Sequence, residues 1–145
     1  MRRILCAIDA SERAPKVINT AVDLAKRTGA KIVLFRAVTI PPELPLDLYL
    51  GTQSNMTELL VDSAKKDLAA HATKLPDGML QGTHVDIGAP WDAICRAGKK
   101  YEVDLIMIGS HGYGGLDRLL GTTAASVVNH ADRCVLVARG DSPFG

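Results

Sequence analysis

Four short apolar runs punctuate the chain: Ile4 to Ile8, Ile32 to Val38, Asp104 to Ile108 and Cys134 to Ala138. Each is too brief for a helix and rich in β-branched residues, which is how a strand buried on both faces of a parallel sheet reads. A fifth run, Thr83 to Ile87, alternates apolar and polar and is expected at a sheet edge.

Between the runs the period changes to that of a helix. Ala14, Val17, Ile18, Ala21, Leu24 and Ala25 recur at steps of three and four, with Ser11 as the expected N-cap and Gly29 as the stop. Met56, Leu59, Leu60, Ala64 and Leu68 mark a second helix. Pro90, suited to a first helical turn, opens a third with Trp91, Ile94 and Cys95, and a fourth runs from about Thr122 to Ala131. Strands alternating with helices imply parallel strands joined by right-handed crossovers, with helices on both faces. The fold class is therefore doubly wound α/β, and 145 residues suit one domain, 1–145. In such a sheet the ligand crevice opens outside the carboxyl ends of the strands, where the winding reverses.

The cysteines Cys6, Cys95 and Cys134 all sit in apolar runs, and their odd number and wide spacing fit neither a disulfide framework nor a zinc site. They read as small core residues. The N-terminal apolar run breaks at Asp9, too soon for a signal peptide or a membrane span, so a cytoplasmic location is expected. With 17 basic and 16 acidic residues and no basic block, nothing marks a nucleic-acid or membrane partner. One segment, Thr39 to Asn55, has no period; its Leu44 to Leu50 stretch reads as a lid or partner-binding flap, or as a loop packed on its own domain.

The densest chemical signal runs from Gly109 to Thr123, between a strand end and a helix start, with five glycines. Glycine lets backbone N–H groups approach phosphate oxygens without a Cβ in the way. Gly121, Thr122 and Thr123 add the free N–H groups and positive dipole end of a helix, with two hydroxyls. His111 can donate to a phosphate or act as a base, or simply bond its surroundings; Arg118 can pair with a β- or γ-phosphate, or sit exposed on a turn. Asp9, closing the first strand, can accept from a ribose or adenine or help hold a metal, or cap the first helix. His71, His84 and His130 form no pair at metal-ligand spacing.

Gly109-Ser110-His111-Gly112, then eight residues, then Gly121-Thr122, then a helix and the strand Cys134 to Arg139, resembles the signature of universal stress proteins. Ile4 to Ser11, Ile32 to Val38, Val85 to Pro90 and Val103 to Ile108 resemble the other strands and turns of that family. The resemblance implies a five-stranded parallel sheet in the order 3-2-1-4-5, an ATP site at its carboxyl edge and a homodimer through the last strand; magnesium is expected to accompany the ATP. Carried over by position, Asp9 and Ala37 contact the adenosine, and Gly109, Gly112, Gly121 and Thr122 the phosphates. Ala7 joins the binding residues where relatives often carry proline, and the family pattern usually has nine residues where this chain has eight between Gly112 and Gly121.

Three functions follow. One is an ATP-responsive regulatory module of the stress response, acting on an unidentified protein partner. Another is a weak ATP hydrolase with His111 and Asp117 as bases, although the chain has no GxxxxGK[ST] segment. The last is a dimeric adaptor without nucleotide.

Overall fold

The computed structural model describes residues 1–40, 53–110 and 120–145. The strands are β1 (Arg3–Ala7), β2 (Lys31–Val38), β3 (Leu80–Ile87), β4 (Leu105–Gly109) and β5 (Cys134–Ala138). Among the described residues the helices are α1 (Ala14–Thr28), α2 (Gln53–Ala72), α3 (Pro90–Lys100) and α4 (Thr122–His130). The five strands form one parallel sheet in the order β3-β2-β1-β4-β5, as the resemblance implied.

Side chains alternate across this sheet and build two cores. On one face Ile4, Cys6, Ile32, Leu34 and Met107 pack under α1 and α2; on the other Leu5, Val33, Phe35, Ile106 and Ile108 pack under α3 and α4. Ile4, Ile32 and Ile106 are fully buried, each contributing about 1.5–3 kcal/mol. Gly98 lets α3 approach the sheet closely, because a Cβ there would lie 2.9 Å from the Ile106 Cδ1. The Trp91 ring packs against His130, with centroids 4.5 Å apart, and so ties α3 to α4.

The two ends of α1 differ in how far local chemistry sets them. Gly29 takes the left-handed conformation at φ 78° that the C-terminal stop requires, and its N–H bonds the Ala25 carbonyl at 2.8 Å. Ser11 is not the N-cap of α1. Arg13 holds that place without a side-chain cap, while the Asp9 Oδ1 accepts from the Ser11 N–H at 2.9 Å and the Ser11 Oγ from the Arg13 N–H at 3.3 Å. A short aspartate turn thus comes before the helix and delays its start.

The strands depart from expectation where exposure is concerned. β3 is an edge strand, as its alternation predicts, but β5 is the other edge and is half-buried rather than enclosed on both faces. Cys134 at its start is exposed and Cys95 half-buried; among the cysteines only Cys6 is core, its thiol pushed up to about 12 by burial. An edge strand has one neighbour, so an apolar run there need not be covered.

Asp104 belongs to the turn before β4, not to the strand. Its Oδ2 accepts from the Arg2 N–H at 2.6 Å and the Arg3 N–H at 3.0 Å, and these two bonds hold its carboxyl below the usual carboxylate range. A carboxyl whose pKa is depressed on folding stabilises the fold above its unfolded value of 3.8 and loses that contribution as pH falls below it. The stability advantage of the native chain over Asp104→Asn is therefore expected to be constant from pH 7 to about 5 and to shrink below about 4, in urea melts at each pH.

Candidate functional site

β1, β2 and β3 wind in one direction and β4 and β5 in the other, so the reversal falls between β1 and β4. A cavity of about 380 Å³ opens there, at the carboxyl ends of the strands. The end of β1 supplies Ala7 and, just beyond it, Asp9; β2 supplies Ala37 and β4 supplies Gly109. The Ile8 N–H bonds the Phe35 carbonyl at 2.9 Å, which carries the β1–β2 ladder one step further and sets Asp9 at the exposed rim.

Small side chains make the space. On the face beneath α3, β2 runs Val33, Phe35, Ala37, and β1 runs Leu5, Ala7. The large residues fill the core, and the alanines follow where the cavity begins. Val17 of α1 and Ile94 of α3 close its sides with apolar surface, and Pro90 stands at the start of α3.

The third wall is the start of α4, with Gly121, Thr122, Thr123 and Ala124 all lining the cavity. Gly121 is the N-cap in extended conformation (φ −61°, ψ 160°), and its carbonyl accepts the Ala125 N–H at 2.9 Å. The N–H groups of Thr122, Thr123 and Ala124 precede that first helical bond, so they and the positive dipole end are available to an anion. Ser110 fixes this arrangement: its N–H donates to the Ala138 carbonyl and its carbonyl accepts the Gly121 N–H, both at 3.1 Å.

The structure thus brings Ala7, Asp9, Ala37, Gly109, Gly121, Thr122 and Thr123 to one cavity. His111, Gly112 and Arg118 lie outside the described residues, as do Asp117 and the Leu44 to Leu50 segment. Among the described residues no cluster of three or more His, Cys, Asp or Glu is placed to hold a metal, and no helix is long and apolar enough to cross a membrane.

The model of the universal stress protein family matches residues 1–139, nearly the whole chain. The chain belongs to the universal stress protein family. Universal stress protein A homolog 1 of Coxiella burnetii is 28% identical over 140 residues, covering 94% of each chain. Among solved structures, universal stress protein UspA from Lactobacillus plantarum superposes with a TM-score of 0.79 at 25% identity, covering 95% of this chain and 97% of that one. A universal stress protein solved in complex with cAMP shares the fold at a TM-score of 0.61 and 20% identity, covering 95% of this chain and 96% of that one.

Within this universal stress protein fold, some lining residues were not singled out by the sequence reading. Arg13 stands four residues after Asp9, at the turn that opens α1, and Pro90 and Ile94 read only as helix residues. The available signal was positional, since the first turn of a helix that follows a strand faces the crevice.

Proposed function

We propose that this chain is a regulatory module that binds ATP with magnesium in the cavity between β1 and β4 and responds by a change of state rather than by turnover. The observation that carries this reading is the joining, in one cavity of about 380 Å³, of an apolar wall, a carboxylate and a helix N-terminus with free N–H groups. That volume falls in the range of small-molecule sites. Ala37, Val17 and Ile94 offer apolar surface to an adenine ring, and Asp9 offers an acceptor to ribose hydroxyls. Gly109 permits close backbone approach, and the N–H groups and hydroxyls of Thr122 and Thr123 suit phosphate oxygens. The donor set fits the group: magnesium needs only one or two carboxylates when phosphates supply its other ligands, and Asp9 is at hand. Bound ATP would supply the signal, and the chain's own part is to hold it and to couple α4 to the sheet through Ser110.

The related structure with cAMP makes cAMP the natural comparison ligand. Small molecules released from the denatured protein, and calorimetric titration with ATP–magnesium and with cAMP, test the reading; roughly micromolar ATP binding is expected. No binding of ATP sinks it, and steady phosphate release would replace regulation with hydrolysis.

Asp9 separates two roles. If it serves the nucleoside, Asp9→Ala weakens ATP about tenfold and leaves inorganic tripolyphosphate unchanged. Equal losses for both ligands would place its role in the turn it shapes through the Ser11 N–H or in holding magnesium, and not in contact with the nucleoside.

The homodimer belongs to the same proposal. β5 ends the sheet with half-buried Val135, Leu136 and Val137, a strand suited to pairing with its own copy. Sedimentation should then give twice the chain mass.

A further inference from the structure

The cavity does not stop at Gly109. A second cleft of about 630 Å³ adjoins it, and Arg13, Val17 and Gly109 line both. The second cleft runs between the start of α1 and the end of β5, past Ser110. Among the described residues, Arg13, Lys16 and Arg139 line it against one carboxylate, Glu12. Arg139 comes from the far end of the chain, and only the placing of β5 beyond β4 brings it to α1.

Lys16 faces two ways. It lines this cleft and also the furrow holding Asp141 and Ser142, and its Nζ lies 3.3 Å from the Asp141 Oδ1. The two side chains are 57% and 92% exposed, so the ion pair is weak and readily exchanged for a stronger anion.

We propose that the cleft between α1 and β5 is an anion subsite for the distal part of a long phosphate chain, so that the preferred ligand is an adenine nucleotide carrying more than three phosphates. For the nucleoside end this rests on the ATP reading above; the affinity of the cleft for phosphate does not. A nucleoside and its first phosphates occupy the cavity between β1 and β4, the chain turns past Gly109, and the terminal phosphates meet Lys16 and Arg139. Lys16 then exchanges Asp141 for phosphate.

Calorimetric titration of the full chain with adenosine 5′-tetraphosphate, ATP and inorganic tripolyphosphate tests this, using the native protein, Lys16→Ala, Arg139→Ala and Asp141→Asn. The tetraphosphate is expected to bind roughly tenfold more tightly than ATP, the gain of one charge-assisted contact. Lys16→Ala and Arg139→Ala should each remove most of that difference while ATP affinity changes less than about twofold, and Asp141→Asn should widen it. Equal affinities for tetraphosphate and ATP in the native protein, or a difference that survives both alanine variants, overturn the subsite. If ATP fails to bind but tripolyphosphate binds and is lost in Arg139→Ala, the cleft stands and the nucleotide reading falls. If neither binds, both fall.

Discussion

Gly121→Val is expected to abolish ATP binding, with a loss of about a hundredfold or more, while the chain still folds. Gly121 is the N-cap of α4 and lines the cavity, so a branched side chain there stands where phosphate oxygens must reach the N–H groups of Thr122 and Thr123. Two charge-assisted bonds at about 1.5–3 kcal/mol each account for a loss of that size. The backbone gives no reason for collapse. At φ −61° and ψ 160° Gly121 occupies extended space that valine also adopts, and its N–H bond to the Ser110 carbonyl needs no side chain. Valine is a poor N-cap, which costs about 1 kcal/mol. Calorimetry and a urea melt on the same preparation separate the two effects. Retained affinity would remove α4 from the site.

Phe35→Ala should be the most damaging change to the fold, costing about 3–5 kcal/mol. The ring is fully buried in the core beneath α3, in register with Ala7 on one side and His84 on the other. Because total stability for such a domain is about 5–15 kcal/mol, the midpoint of urea unfolding should fall markedly with little change in slope. Phe35 also lies two residues before Ala37 on the same face, directly below the cavity. The variant is therefore expected to bind ATP more weakly even where it is fully folded, since the apolar floor loses its support. A loss of less than about 1 kcal/mol would show that neighbours collapse into the space and that the floor does not depend on this ring.

These two residues illustrate what was legible and what was not. Gly121 stood out because glycine, two threonines and a helix start form a local pattern, and a helix N-terminus is a local object. Phe35 was visible only as one member of an apolar run, and nothing nearby in the chain says that it supports a cavity. Local propensity favours Ser11 as a cap, but its Oγ accepts from the Arg13 N–H in a turn ahead of the helix, which starts at Ala14. Cys134 reads as core from the sequence but is exposed, because an apolar strand looks the same whether it is central or at an edge.

The sequence by itself determined the element types. Buried parallel strands must be apolar and β-branched, helices must carry an apolar stripe at their own period, and Gly29 must stand where the chain turns left-handed; all of these are short-range demands. The order of the strands, the reversal between β1 and β4, and the placing of Arg13 and Arg139 along one cleft were decided by the tertiary structure. Those features depend on which strands pair, a choice made by the joint packing of two cores over the whole sheet, and no window along the chain contains both partners.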